Sequence, residues 1–312
     1  MKNNALSKLV SIASLCLFFT SAMSHGPVNS SSKKKYYTEF KYEYINDKII
    51  IPIEIENNTY KFVFDTGVPS VISEELFKKI TIKNNETLNL QASNSTSISL
   101  NLVTIPEIKI AGVPFKNTTS LVENKILGTL LDCLNVDGSI GSSMLNKSII
   151  QILPRRNLIR LTNNRKKIPL EKQDASKLTL SGNQSQPLFW LEIQGKTEVK
   201  DQVLFDTGLS GLYNISQKRL DELEQKEIIN KSGNNEPMPL IKLAQAIFKN
   251  SPLITSATET STMGTSLLNY GNVTINFKNK KFYFDPFDKE INLAEQTTIT
   301  NSNSLKKATV CP

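Results

Sequence analysis

Phe64-Asp65-Thr66-Gly67 recurs as Phe205-Asp206-Thr207-Gly208, 141 residues further along the chain. Each copy closes an apolar run, Phe62-Val63 in the first and Val203-Leu204 in the second. Each run follows a strand-like stretch, residues 49–55 and 188–193. At average residue usage one D-T-G arises about once in 5,000 positions, so a single copy would carry little weight. A second element repeats in the same order. The window 140–161 matches 263–284 without a gap at an offset of 123, with Gly141/Gly264, Ser143/Ser266, Leu145/Leu268, Asn146/Asn269 and Ile152/Ile275 identical. Two elements repeated in one order predict two homologous lobes.

Around these repeats the pattern is mostly that of strands. Period-two or β-branched stretches cover 87–92, 98–103, 108–110, 273–277 and 282–284. Short helices are expected over 74–80 and 217–226, the second capped by Ser216. Trp190, inside an apolar stretch, is read as a core residue. The fold class is therefore mainly β, in two homologous lobes. The boundaries read as a signal peptide over 1–24, a leader over 25–44, an N-terminal lobe over 45–165, a linker over 166–184, a C-terminal lobe over 185–287 and a tail over 288–312.

Composition narrows the chemistry. The 312 residues include one histidine, His25, so a Ser-His-Asp triad, a Cys-His pair and an H-E-x-x-H zinc site are excluded. Three cysteines without C-x-x-C spacing leave no zinc ribbon, and no metal or cofactor is implied. Lys2 and Lys8, an apolar run over 9–19 and the small-x-small triplet Ala22-Met23-Ser24 read as an export signal. Eleven apolar residues are too few to span a bilayer, which takes about 20, so no stable membrane anchor is expected after cleavage. Loss of Lys2 and Lys8 lowers the net charge from +8 to +6. The remaining charges are scattered except at Lys33-Lys34-Lys35 and Arg165-Lys166-Lys167, which read as solvated segments and not as a nucleic-acid surface. Cys133 and Cys311 remain after cleavage, and a bond between them is permitted in an exported compartment.

Two lobes packed about an axis would bring Asp65 face to face with Asp206. Carboxylates in contact do not both ionise comfortably, so one retains a proton. The ionised member can take a proton from water while the protonated member hydrogen-bonds a substrate carbonyl. That supplies base, acid and nucleophile from carboxylates alone.

The sequence resembles the retropepsin-like and pepsin-like aspartic proteases, in a tandem form similar to exported bacterial members. The resemblance rests on Phe-Asp-Thr-Gly at 64–67 and 205–208 and on Ser139-Ile140-Gly141 and Thr262-Met263-Gly264, and it covers about residues 45–165 and 185–287. It implies two closed-barrel-like, mainly β lobes related by a pseudo-twofold axis and flanking a cleft, with Asp65 and Asp206 catalytic and Thr66, Gly67, Thr207, Gly208, Gly141 and Gly264 supporting them. Pepsin-like members follow D-T-G with Ser or Thr; here Val68 and Leu209 stand there, as an apolar residue does in retropepsins. That implies a dyad harder to ionise, with an optimum at mildly acidic to near-neutral pH. The stretch from Asp65 to Gly141 exceeds that from Asp206 to Gly264 by 18 residues. The excess leaves room for a flap-like hairpin with its tip at Ala92, Ser93, Asn94, Ser95, Thr96 and Ser97.

The expected activity is exported aspartic endopeptidase, acting on peptide or protein substrates as a monomer, because two lobes in one chain make dimerisation unnecessary. A non-catalytic peptide-binding or scaffold protein that keeps the fold is the alternative. Periplasm and external medium are not distinguished.

Overall fold

The computed structural model describes residues 30–31, 34–91, 97–123, 128–170, 175–195, 197–228, 240–251, 254–256 and 258–293. Three sheets take in all the strands of the described residues: one in each lobe and one between them.

The first lobe is a closed barrel. Its strands run in the order Val113–Val122, Val71–Ile72, Gly138–Ile140, Asn58–Phe64, Lys48–Ile55 and Ser97–Ile110, and the last pairs back onto the first. Alternation along the strands divides the apolar residues between two faces. Ile51, Ile53, Phe62 and Phe64 join the main core, whereas Ile50 and Val63 point outward. The outward set is covered by the helix Gly128–Leu134, through Leu131 and Leu134. The tight corners are two-residue turns whose residues take left-handed φ: Asn46-Asp47, Glu56-Asn57 and Ala111-Gly112. Such turns match the right-handed twist of the strands they join.

The second lobe repeats this plan but is a curled half-barrel. Gln186–Gln194 pairs with Glu198–Phe205, which pairs in parallel with Ser261–Met263, as Lys48–Ile55, Asn58–Phe64 and Gly138–Ile140 do in the first lobe. Where the first lobe has the continuous strand Val113–Val122, the second has two short pieces. Ala246–Lys249 pairs with Leu240–Leu243, and Ile254–Ser256 pairs with Tyr213–Ser216. The first piece ends at Lys249, and the next residue, Asn250, takes φ 56°.

Between the lobes lies a six-stranded sheet ordered Ala175–Lys177, Lys281–Pro286, Gly271–Asn276, Ile149–Leu153, Leu158–Thr162, Tyr37–Lys41. Its central ladder pairs Gln151 with Thr274, and Gln151 Nε2 donates to Thr274 Oγ1 at 3.1 Å. These two residues are also equivalent under the 123-residue repeat, so the pseudo-twofold axis passes between them. The order of the sheet is palindromic about that point. Each lobe contributes its distal hairpin, and the segment preceding each lobe adds the edge strand.

Stretches read from sequence as connecting segments thus carry strands. Tyr37–Lys41 falls within the leader and Glu43–Ile45 straddles its end, Ala175–Lys177 and Thr179–Ser181 fall within the linker, and Glu290–Asn292 within the tail. They are short and mostly half-exposed edge strands, so they lack the apolar run that marks a buried strand. Trp190 is not a core residue but is 40% exposed. Phe189, Leu191 and Ile193 take the inward positions of its strand, and strict period-two alternation turns Trp190 outward. The expected helices occur at Glu74–Lys79 and Gln217–Gln225. The helix Gly128–Leu134 was not expected. Among the described residues, no helix is long and apolar enough to cross a membrane.

Candidate active site

Each D-T-G loop follows the last residue of a barrel strand, Phe64 or Phe205, and is held against a distal strand. Asp65 N donates to Ile140 O at 3.0 Å and Asp206 N to Met263 O at 2.9 Å. The loops then meet across the axis. Thr66 N donates to Thr207 Oγ1 at 3.0 Å, and Thr207 N donates to Thr66 Oγ1 at 3.1 Å. Thr66 Oγ1 in turn donates to Phe205 O at 2.5 Å, and Thr207 Oγ1 to Phe64 O at 2.7 Å. Both threonines are wholly buried, so each hydroxyl serves as donor and acceptor with no water to replace either partner. This is what Thr contributes in both copies.

The glycines answer to close approach. A Cβ on Gly67 would occupy the Asp206 carboxylate, and one on Gly208 the Asp65 carboxylate. Gly141 and Gly264 each press on the backbone that follows the D-T-G of their own lobe, at Val68–Ser70 and Leu209–Gly211. The residues after these glycines add ties: Ser142 Oγ donates to Thr66 O at 3.0 Å, and Thr265 Oγ1 to Leu209 O at 2.9 Å.

The two carboxyl groups are hydrogen-bonded to each other, and each residue is only 5% exposed. Burial pushes both above the usual carboxylate range. Asp206 is pushed further, because the charge on Asp65 faces it. Their surroundings differ. Asp65 accepts from the backbone N–H of Gly67, at 3.0 Å, and from that of Val68, whereas Asp206 accepts from Gly208 at 2.9 Å. Donors to a carboxylate favour its charged form, and they oppose the effect of burial on both members of the pair.

Sequence reasoning missed two residues. Lys48 is buried beside the pair, and Gln186 Nε2 donates to Gly67 O at 2.5 Å. Both lie at strand starts far from either D-T-G in sequence, and nothing in their local pattern marks them. Of the expected flap, Ala92, Ser93, Asn94, Ser95 and Thr96 lie outside the described residues. Ser97 opens the strand Ser97–Ile110, which pairs with Asn84–Gln91 from Asn84↔Thr104 to Gln91↔Ser97. Cys133 is disulfide-bonded, and Cys311 lies outside the described residues.

Two buried carboxyl groups thus face each other where the two β lobes meet. Residues 51–144 match the family model for aspartyl protease. The match takes in Asp65 and the distal Ser139–Gly141 element and ends before the second D-T-G. Comparison with curated proteins returns no match.

Proposed function

We propose that the chain is an exported aspartic endopeptidase whose single active site is shared by two homologous lobes of one monomer. The observation that carries this reading is the reciprocal joining of the D-T-G loops, which leaves two buried, mutually hydrogen-bonded carboxyl groups on the pseudo-twofold axis.

In the reaction, ionised Asp65 takes a proton from a water between the carboxyls, and the water oxygen bonds to the scissile carbonyl carbon. Protonated Asp206 donates its proton to the carbonyl oxygen, giving a neutral tetrahedral gem-diol. On collapse, the proton on Asp65 passes to the departing nitrogen as the C–N bond breaks. One gem-diol hydroxyl returns its proton to Asp206, and an acid and an amine leave. Water is consumed, and both carboxyl groups recover their starting protonation. The support for Asp65 as base is its second backbone donor.

The test is cleavage of a mixed peptide library by the processed protein from pH 3 to pH 8. Cleavage is expected at mildly acidic to near-neutral pH and is expected to vanish in both Asp65→Asn and Asp206→Asn. Folded protein that cleaves nothing at any pH would favour the peptide-binding alternative. A Cys133–Cys311 bond belongs to the same proposal, checked by peptide mapping with and without reduction.

A further inference from the structure

The two lobes are matched one residue at a time at the start of the strand that precedes each aspartate strand. Ile50 pairs with Val63 as Leu188 pairs with Leu204, so Lys48 and Gln186 occupy equivalent positions. Both side chains cross to the other lobe's D-T-G loop. Gln186 Nε2 reaches Gly67 O at 2.5 Å, and Lys48 Nζ reaches Ser210 Oγ at 3.2 Å. One crossing is neutral and the other brings a cation.

Among the described residues Lys48 is the only buried lysine or arginine. Burying an ammonium group is costly unless opposite charge faces it. Burial pulls the Lys48 ammonium group below its usual range, and the groups facing it, Asp65, Asp47 and Asp206, are all acidic and oppose that shift, favouring its charged form. The backbone that carries Lys48 is fixed as well. The left-handed Asn46-Asp47 turn ends at Lys48, and Thr265 Oγ1 of the second lobe shares its one hydrogen between Leu209 O and Asp47 O, the latter at 2.8 Å. The lysine is therefore anchored at the lobe junction at both backbone and side chain.

We propose that Lys48 is a positioning residue that sets the charge of the carboxyl pair, its ammonium group favouring the singly ionised form in which Asp65 carries the charge. The inference rests on the reading of Asp65 and Asp206 as a dyad. A fixed cation favours each loss of a proton from the pair, so both ionisations fall at lower pH than they would without it. It also breaks the near symmetry of the site, because the equivalent position holds a neutral glutamine.

The experiment compares wild type, Lys48→Gln, Lys48→Met and Lys48→Arg in the full mature chain. Two quantities are read: the pH profile of kcat/KM, and the 13C carboxyl titration of Asp65 and Asp206, which needs no turnover. Loss of the cation in Lys48→Gln and Lys48→Met is expected to move both ionisations of the pair upward by about one pH unit, with both limbs of the activity profile following. Lys48→Arg keeps the charge and should restore the wild-type titration. An unchanged carboxyl titration in the neutral variants, or the same upward shift in Lys48→Arg, would overturn the proposal. Loss of fold in both neutral variants would assign Lys48 a structural role and overturn it too. If the titration shifts but no variant nor wild type cleaves peptides, the role of Lys48 stands and the peptidase reading fails. Cleavage with an unmoved titration means the reverse.

Discussion

Asp65 and Asp206 are held where a carboxyl group ionises reluctantly, and that reluctance has a consequence for stability. In the unfolded chain an aspartate ionises near pH 4, whereas burial raises both groups in the folded protein. The folded state then binds the shared protons more tightly than the unfolded state. The stability these groups contribute is fully present below about pH 4 and is lost as pH rises through the folded pair's ionisations. Asp206→Asn removes the reluctant group and keeps a donor toward Asp65. Its thermal midpoint is expected to exceed that of wild type at pH 7 and to converge with it at pH 3, as calorimetry across that range would read. A midpoint lower than wild type at pH 7 would contradict the picture of a strained dyad. Thr66 is the opposite case, since its hydroxyl binds Phe205 O and Thr207 N across the lobe boundary. Thr66→Val leaves both buried partners unsatisfied and should cost about 2–4 kcal/mol in denaturant unfolding, with most turnover lost. Thr66→Ser should recover most of both.

Elements outside the site should separate stability from chemistry. The helices Glu74–Lys79 and Gln217–Gln225 sit at equivalent places in the two lobes, and each is capped by a serine. Ser73 Oγ accepts from Leu76 N at 3.1 Å, and Ser216 Oγ from Arg219 N at 3.2 Å. Ser216→Ala is expected to lower stability by about 1 kcal/mol and to leave the pH profile unmoved; a changed profile would tie this helix to the dyad. Both caps could be sought in sequence because a small hydroxyl residue precedes an amphipathic run. The edge strands Tyr37–Lys41 and Ala175–Lys177 could not be found in the same way. Each derives its register from a partner strand more than 100 residues away, Leu158–Thr162 or Lys281–Pro286, and neither carries a fully buried residue, Phe40 being only half-buried against the core. The turn Glu56-Asn57 is similarly silent, since its left-handed residues include no glycine.

The whole molecule depends on the central sheet to keep the lobes in register. Phe282 of that sheet stacks on Phe189 at 4.1 Å between centroids and meets Phe205, the residue before Asp206, edge-on at 5.4 Å. Phe282→Ala should therefore cost about 3–5 kcal/mol and depress activity, by loosening the strand that ends at Phe205, just before Asp206. Because both D-T-G loops belong to one chain, specific activity is expected to stay constant on dilution across the range where sedimentation shows a monomer. A steep fall would mean that a second copy completes the site.

The sequence by itself determined the repeat and the chemical type of the centre. Two D-T-G loops and two distal glycine elements are contiguous, and a single histidine removes the main alternatives to carboxylates. Tertiary structure alone decided three further points. It closed one barrel and left the other open at Asn250. It put the axis between Gln151 and Thr274. It also brought Lys48 to the carboxyl pair while sending Gln186 to the equivalent place. The physical reason is the range of the forces concerned. Turn chemistry and alternation act between neighbours in the chain, whereas the charge on a buried carboxyl depends on which donors and cations packing sets beside it, wherever in the sequence they arise.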